Sequence, residues 1–334
     1  MNDNINKTVN EILESYSKHE QTCRLSEDNI INKSVLIQVL EEIRKLLFPG
    51  YFDKNRVREE YIGYIVGDRI EFIQYNLKKQ IAKALKGCEK CNDLSYDEVM
   101  EKSEKLVYEF LAKIPSIRDY LATDVVAAFN GDPAAYSTDE IILCYPGFFA
   151  ITVYRVAHEL WKLKIPMIPR VLSEYAHGLT GIDIHPGATI GKYFFIDHGT
   201  GIVIGETAEI GDDCTIYHGV TLGGTGKDTG KRHPTLGNNV LIGAGTKVLG
   251  PVYIGDNARI GAGSVVLKNL PANCTAVGVP AEVVRINNKA VNPADDLDQQ
   301  DLPDIVNQRI SELEARLSRL EAEKQGEFPP DKKE

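Results

Sequence analysis

The feature that most constrains the fold is a series of aliphatic residues that recur at every sixth position beyond about residue 180. A period of six fits neither an α-helix, with a period of 3.6, nor a flat amphipathic strand, with a period of 2. It is typical of a triangular solenoid, in which a short strand and its turn take six residues and three such units make a coil. The series consists of three runs: Ile190, Ile196 and Ile202; Ile204, Ile210, Ile216 and Leu222; and Leu236, Ile242, Val248, Ile254, Ile260 and Val266.

The six-residue register is interrupted between Leu222 and Leu236. The interruption contains GGTGK at 223–227 and RHP at 232–234, so we expect a loop that protrudes from the solenoid. A tolerated surface insertion is one interpretation. The density of Gly, Lys, Arg and His favours a functional site, because loops on rigid scaffolds commonly carry function.

Residues 1–180 are predicted to form an all-helical N-terminal domain. Leu36, Val39, Leu40 and Ile43 begin a series at helical spacing, and similar patterns run from about residue 56 to 86, 96 to 113 and 147 to 163. Ser95, with Glu98 three residues later, fits a capping box. Ser116 is a second candidate cap.

The predicted fold class is α+β, with the helical domain followed by a parallel β-helix over 181–285, a linker over 286–304, a coiled coil over 305–323 and a disordered tail over 324–334. The coiled coil rests on Val306, Ile310, Leu313, Leu317 and Leu320, which are spaced 4, 3, 4 and 3 residues apart. Its pattern of Arg and Glu resembles that of trimeric coils, and a lone solvated helix is the alternative.

Charge and cysteine content limit the function classes for this 334-residue chain. A net charge of −10 and a pI near 5.3 argue against a nucleic-acid or anionic-membrane partner. No apolar run reaches the roughly 20 residues of a membrane helix, and the first residues do not resemble a secretory signal. These features and the six scattered cysteines predict a cytoplasmic protein without a disulfide framework. Cys88 and Cys91 are interpreted as ordinary thiols, because no second ligand pair follows.

Polar residues that could carry chemistry cluster around the solenoid. Asp183 and His198 are 15 residues apart, which in coils of about 18 residues brings them onto neighbouring coils. A His beside a carboxylate is a general-base arrangement, and a structural hydrogen bond is the alternative. The full set of candidates is Asp132, Asp183, His185, Asp197, His198, Glu206, His218, Arg232 and His233.

Six motifs together resemble the bacterial and plant serine acetyltransferases. They are DPAA at 132–135, GIDIHP at 181–186, DHGTG at 197–201, GETA at 205–208, VTLGGTGK at 220–227 and RHP at 232–234. They come in the family's order and spacing, and the resemblance covers about residues 115–285.

The resemblance implies transfer of an acetyl group from acetyl-CoA to the hydroxyl of L-serine, which gives O-acetyl-L-serine and CoA in the first step of cysteine biosynthesis. In the family pattern His198 is the catalytic base and Asp183 is the carboxylate paired with it. A base is needed because an unassisted serine hydroxyl is a poor nucleophile at neutral pH.

Four further residues are implied to bind the substrate. Arg232 and His233 match the residues that hold the carboxylate, for which the Arg fork is well suited. Asp132 and Asp197 match the acids that receive the ammonium group. Feedback inhibition by L-cysteine is a trait of the family and would use the same four residues.

The resemblance also implies a left-handed solenoid and a homotrimer, or a dimer of trimers, with acetyl-CoA between neighbouring solenoids. No metal is expected. Glycine and alanine corners allow the pantetheine arm to approach the backbone, whereas spacing alone suggests the two lysines for the CoA phosphates. The predicted cofactor residues are Gly224, Thr225, Gly226, Gly243, Ala244, Ala262, Lys247 and Lys268.

Two features depart from the family pattern: the N-terminal helices match those of the family less clearly, and the C-terminal end differs. Members that bind O-acetylserine sulfhydrylase often end in a short tail with a terminal Ile, whereas this sequence ends in DKKE at 331–334 after the added coil. We therefore do not expect that complex.

Three other functions are compatible with the same scaffold. Another O-acyltransferase of the hexapeptide class would act on homoserine or a sugar, although a sugar offers no carboxylate and ammonium pair. A zinc hydratase would need three His to converge, for which His185, His198 and His218 are available. A non-catalytic assembly scaffold would use mainly the coiled coil.

Overall fold

The computed structural model describes residues 2–19, 22–24, 29–88, 94–226, 229–291 and 305–326. Its N-terminal part is helical, with a short 3-10 turn at Glu59–Tyr61 before the third helix. The helices are α1 (Asn2–Lys18), α2 (Lys33–Leu47), α3 (Ile62–Lys86), α4 (Tyr96–Leu111), α5 (Ile114–Gly131), α6 (Thr138–Cys144), α7 (Pro146–Lys162) and α8 (Ile168–Thr180).

Local sequence explains where several of these helices begin. The side chain of Asn32 caps α2 by accepting hydrogen bonds from two backbone N–H groups. The capping box at Ser95 and Glu98 is confirmed at the start of α4. The prediction that Ser116 caps a helix is wrong: α5 already begins at Ile114, with Pro115 in its first turn, and the hydroxyl of Ser116 donates to the carbonyl of Lys113.

A parallel β-solenoid follows the helices, which confirms the predicted fold class. Its strands form three sheets, one on each side of the coil. Sheet A holds β1 (Asp183–Ile184), β4 (Val203–Ile204), β7 (Thr221–Gly223), β10 (Lys247–Leu249) and β13 (Val265–Val266). Sheet B holds β2 (Thr189–Ile190), β5 (Glu209–Ile210), β8 (Thr235–Leu236) and β11 (Tyr253–Ile254). Sheet C holds β3 (Phe195–Asp197), β6 (Thr215–Tyr217), β9 (Leu241–Ile242), β12 (Arg259–Ile260), β14 (Cys274–Gly278), β15 (Ala281–Ile286) and β16 (Lys289–Ala290).

The aliphatic residues of the six-residue series stack inside the coil, and one member differs from the prediction. Ile184 pairs with Ile204 in sheet A, so Ile204 takes the position that the series assigned to Ile202. The reason is a longer corner: residues 198–202 separate β3 from β4, whereas only residues 218–220 separate β6 from β7 in the next coil. Two extra residues therefore bulge from the first coil.

The helices pack directly on the first coil. The buried guanidinium of Arg155 on α7 forms an ion pair with Asp124 on α5, at 2.6 Å from Nε to Oδ2. It also donates to the carbonyl of Ile190, at the end of β2, and to that of Gly191. The other carboxylate oxygen of Asp124 accepts the N–H of Phe194 at 3.0 Å. At Gly147 a Cβ would lie 2.7 Å from the carbonyl oxygen of Ile196, so only glycine lets α7 approach sheet C this closely.

The C-terminal end adds antiparallel structure to the solenoid. Strand β15 pairs with both β14 and β16, so paired strand extends into the stretch predicted as linker. Helix α9 (Ile305–Gly326) covers the predicted coiled coil and the first three residues of the predicted tail. Residues 292–304 and 327–334 lie outside the described part of the chain, as does Cys91 of the CxxC motif.

None of the described helices is by itself both long and apolar enough to cross a membrane. Only α6 and α7 together have the length and composition for this, as a pair bent by 72°.

Candidate active site

Two corners of the solenoid, on either edge of sheet A, carry the predicted site residues. We call the first corner the turns that lead from sheet C into sheet A: residues 198–202, 218–220, 243–246 and 261–264. We call the second corner the turns that lead from sheet A into sheet B: residues 185–188, 205–208, 224–234 and 250–252. The predicted protruding loop is the third turn of the second corner, and its residues 227 and 228 lie outside the described chain.

The first corner and the segments beside it bring together four of the predicted residues, Asp132, Asp197, His198 and His218, and one that was not predicted, Tyr145. Asp197 ends β3, and its Oδ1 lies 3.7 Å from Nε2 of His198. Asp132 follows α5 and accepts a hydrogen bond from the hydroxyl of Tyr145 at 2.5 Å and one from the N–H of Ala134 at 2.8 Å. The close packing of α7 on sheet C holds this acidic group beside the imidazole.

His198 lies in the two-residue bulge and projects away from the coil. Its φ of 57° is in the left-handed region, which is uncommon for a residue with a Cβ. Its side chain is 74% exposed. The ring of His218, from the same corner one coil further on, lies against it with centroids 5.7 Å apart. The surrounding turn has to hold this conformation, because it costs free energy for a residue with a Cβ.

The second corner collects the other predicted substrate residues. Arg232 donates through Nη2 to a carboxylate oxygen of Glu206 at 2.5 Å. His233 is buried beside them, and its Nδ1 accepts the N–H of Thr207 at 3.1 Å. His185 lies in the first turn of the same corner, one coil before Glu206 and Thr207, with its ring edge-on to Trp161.

The environment of the second corner favours neutral imidazoles. Burial lowers the pKa of His233, and the positive charge of Arg232 lowers it further. Burial likewise lowers the pKa of His185. The hydrogen bond from Arg232 lowers the pKa of Glu206 and keeps that carboxylate ionised. At the first corner, the hydrogen bond from Tyr145 lowers the pKa of Asp132 and raises that of the tyrosine.

Asp183 does not meet His198 within one chain. No hydrogen bond or ion pair joins these two described residues, which lie on different turns of the solenoid. The Asp183 carboxylate instead faces Glu174 and His177 of α8, with all three ligand-type groups within 4.8 Å of one another. The structure thus separates the predicted residues of one chain into an acidic group with His198 and a basic group with Arg232.

The predicted cofactor residues follow the same division. Gly243, Ala244 and Ala262 stack above His198 and His218 in the first corner, whereas Gly224, Thr225 and Gly226 begin the loop of the second corner. Lys247 lies on β10, and its ammonium donates to the carbonyl of Gly219. Lys268 is exposed just beyond β13.

A zinc centre of three His is not found among the described residues. His185 lies at the second corner, away from His198 and His218 at the first. The one metal-type group in the described ranges contains a single His, His177. This geometry does not favour the hydratase alternative, which needs three converging imidazoles.

Two residues of the site were missed by the sequence analysis. Tyr145 precedes α7 with no motif to mark it, and only the packing of α5 against α7 reveals its contact with Asp132. Thr207 lies within the GETA motif, so the motif was a signal, but its contacts depend on a loop 25 residues further on.

The family model described as "Bacterial transferase hexapeptide (six repeats)" matches residues 233–268. Together with the solenoid and the imidazole at its corner, this defines the protein as a transferase of the hexapeptide-repeat class.

More specific relatives narrow the class. A serine acetyltransferase of Synechococcus elongatus is 53% identical over 211 residues, which cover 63% of this chain and 85% of the relative. One of Bacillus subtilis is 52% identical over 203 residues, covering 61% and 93%. The chain therefore belongs to the serine acetyltransferase family.

Solved structures agree with this assignment. Serine acetyltransferase isoform 3 of Entamoeba histolytica, in complex with cysteine, has a TM-score of 0.63 and 36% identity, with 86% of this chain and 97% of that chain covered. The soybean enzyme complexed with serine has a TM-score of 0.51 and 35% identity, with 78% and 100% covered.

Proposed function

We propose that this chain transfers the acetyl group of acetyl-CoA to the hydroxyl of L-serine, giving O-acetyl-L-serine and CoA. The observation that carries the proposal is the division of charge around the solenoid in a member of the serine acetyltransferase family. An acidic group with an exposed imidazole lies at one corner, and Arg232, which is paired with Glu206, lies with a neutral imidazole at the other. An α-amino acid presents the two opposite charges that such corners attract.

At the first corner, we assign His198 as the general base. It takes the proton of the serine hydroxyl as the oxygen attacks the thioester carbon, and the CoA thiolate leaves. Asp132 and Asp197 receive the substrate ammonium. The low pKa of Asp132 supports this role, because it keeps the carboxylate charged at neutral pH.

At the second corner, we assign Arg232 and His233 to the substrate carboxylate. The guanidinium and a ring N–H are both donors, which a carboxylate can accept together. Asp183 lies between the two corners and is assigned to orient the imidazole of His198 in a neighbouring copy, which would stabilise the imidazolium formed during transfer.

A complete site then requires two copies of the chain. The first corner of one copy would face the second corner of the next, so each copy uses two different surfaces. Such a heterologous interface closes into a ring when the rotation permits, and a homotrimer is the ring that we propose. The exposed side chains of Ile310, Leu313, Leu317 and Leu320 on α9 support a trimeric coiled coil at the C-terminal end. Whether two trimers associate remains a prediction from the resemblance.

Acetyl-CoA is proposed to lie along the same junction. The small residues Gly243, Ala244 and Ala262 leave room beside the stacked turns above His198, and the Gly224–Thr225–Gly226 stretch would approach from the neighbouring copy. Lys268, which is exposed, is a better candidate for the CoA phosphates than Lys247, whose ammonium already donates to a backbone carbonyl.

Cysteine is proposed as a competitive inhibitor of serine. It carries the same ammonium and carboxylate groups, so Asp132, Asp197, Arg232 and His233 would bind both amino acids. The cysteine complex of the Entamoeba histolytica relative supports this assignment. A cytoplasmic location, and the expected lack of a sulfhydrylase, membrane or nucleic-acid partner, stay predictions from the sequence.

A thiol-release assay with acetyl-CoA tests the activity. Serine, homoserine, threonine and a galactoside serve as acceptors. We expect CoA release faster than the hydrolysis background, and fastest with serine. A preference for another acceptor would replace serine in the proposal, and no release with any acceptor would refute acetyl transfer. Inhibition by millimolar cysteine that is relieved by serine is expected in the same assay.

A subunit-mixing experiment tests the shared site. His198→Ala and Arg232→Ala each remove one half, so either variant alone should lose most activity. If the site is formed between copies, random mixed trimers regain about a quarter of the wild-type sites, since one junction in four combines two intact halves. If each site lies within one chain, mixing restores nothing. Folding of both variants is checked by circular dichroism.

A further inference from the structure

The side chain and backbone of Thr207 contact three consecutive residues of the second-corner loop. Its carbonyl accepts from the ammonium of Lys231 at 2.8 Å. Its hydroxyl oxygen accepts the backbone N–H of Arg232 at 3.0 Å and that of His233 at 3.2 Å. One residue of the preceding coil thus supplies hydrogen-bond partners to the loop at the positions of the two predicted carboxylate ligands.

The same threonine also determines which nitrogen of the neutral His233 ring carries the hydrogen. Its backbone N–H donates to Nδ1 at 3.1 Å, and its hydroxyl lies 2.9 Å from the same nitrogen. A ring nitrogen that accepts a backbone N–H carries no hydrogen of its own, so in the neutral ring the hydrogen is on Nε2. His233 is therefore held as the tautomer that can donate from Nε2.

The neighbouring glycine leaves the ring no freedom to move inward. A Cβ on Gly205 would overlap the imidazole of His233, so the ring packs directly on the glycine backbone. The following residue, Glu206, holds Arg232 through its carboxylate. Gly205, Glu206 and Thr207 thus form a cradle for the loop, which gives the GETA motif a physical role that its sequence does not reveal.

We propose that Thr207 is a positioning residue that fixes the backbone of Arg232 and His233, and the donor tautomer of His233, for recognition of the substrate carboxylate. The inference rests on the proposed function, because the carboxylate belongs to the amino-acid substrate. Preorganised donors bind an anion more tightly than mobile ones, since less freedom is lost on binding.

Steady-state kinetics test the proposal with Thr207→Val, Thr207→Ser and a control, Thr152→Val. Thr152 is a buried threonine of α7 whose hydroxyl donates only within its helix, to the carbonyl of Phe148. Removal of the Thr207 hydroxyl should raise KM for serine about tenfold, which is the order expected when hydrogen-bond partners are left unsatisfied. We expect little change in kcat and in KM for acetyl-CoA, wild-type values in the control, and recovery in Thr207→Ser.

Hydrogen exchange of the intact protein gives a readout that does not depend on activity. In Thr207→Val the amides of Arg232 and His233 should exchange faster than in wild type, while the protection of the coil core stays unchanged. Thr207→Ser should restore slow exchange.

The outcomes separate the two claims. Unchanged exchange, or faster exchange with an unchanged KM for serine, would overturn the positioning role while leaving acetyl transfer intact. A loss of the core's protection in Thr207→Val without rescue by Ser would also overturn it, since the role would then be structural. If wild-type protein releases no CoA with serine, the proposed function itself fails, whatever the exchange data show.

Discussion

The hydroxyl of Tyr145, at the start of α7, donates a hydrogen bond to the carboxylate of Asp132, at the end of α5, with 2.5 Å between the oxygens. The two residues are 13 positions apart and are joined through α6. The contact leaves Asp132 with one oxygen held by Tyr145 and the other by the N–H of Ala134. The acid is thereby fixed in front of His198, where the substrate ammonium is expected.

Tyr145→Phe should weaken serine binding without removing the catalytic base. The hydrogen bond is the main cause of the low pKa of Asp132, so that pKa should rise in the variant. We expect KM for serine to increase about five- to tenfold, as for loss of a hydrogen bond to a charged group, with kcat changed less. Carboxyl NMR titration and initial rates measure the two effects. An unchanged KM with a raised pKa would show that Asp132 does not bind the ammonium.

Gly205→Ala should damage the second corner through sterics alone. The added methyl group would overlap the His233 ring, which then has to leave its place beside Arg232. We expect KM for serine to rise by at least tenfold, in line with a buried group forced out of position. Gly67→Ala in α3 is the matched control, because nothing lies within 4 Å of its added Cβ. Equal kinetics for both variants would contradict the assignment of His233.

The change in KM for serine on the acid side of neutral pH should follow the protonation of His233. Its pKa is lowered from the usual 6.5 by burial, by Arg232 and by Lys231, with Glu206 opposing them. Protonation would place a hydrogen on Nδ1, which now accepts the N–H of Thr207, so KM for serine should rise as the ring is protonated, at a lower pH than for an unburied imidazole. Initial rates against pH, with NMR titration of the ring, measure this. A rise in KM centred at or above pH 6.5, the ordinary pKa of the side chain, would contradict it.

The same shift has a consequence for stability. Because the folded pKa lies below the unfolded one, the unfolded chain binds more protons as the pH falls below 6.5. His233 therefore contributes stability that is present above pH 6.5 and is lost as the pH falls through the folded pKa. Urea unfolding of His233→Gln should show a shallower loss of free energy between pH 6.5 and 5 than wild type. If the unfolding free energy of the two proteins falls in parallel with pH, His233 does not make this contribution to stability.

Asp124→Asn should strongly destabilise the junction between the helices and the solenoid. The substitution leaves the buried guanidinium of Arg155 without its counter-ion, which typically costs about 3–5 kcal/mol. Asp119→Asn, on the exposed side of the same helix, should stay within about 0.5 kcal/mol of wild type. Urea denaturation of the two variants measures the difference. Similar midpoints for both would mean that Arg155 finds another partner.

Much of the fold could be predicted because its signals are local. One aliphatic residue is buried on each side of every coil, so the six-residue period gives the strand order and the inward residues directly. The capping box of Ser95 and Glu98 is likewise contained within four residues. Ile202 is buried as predicted, but Ile204 takes the strand position, because two extra residues at the first corner shift the period. The shift is visible in the sequence as a step of two residues, from Ile202 to Ile204, and it marks the bulge that exposes His198.

Periodicity and residue chemistry are local properties of the chain, so the solenoid, the protruding loop and the charged motifs could be recognised without coordinates. How those motifs are shared between two corners depends on the folded chain. Tyr145 reaches Asp132 through helix packing, and Thr207 meets Arg232 and His233 through the stacking of one coil on the next. These contacts depend on the docking of α7 and on the stacking of successive coils, which are set by packing in three dimensions and leave no periodic trace in the sequence.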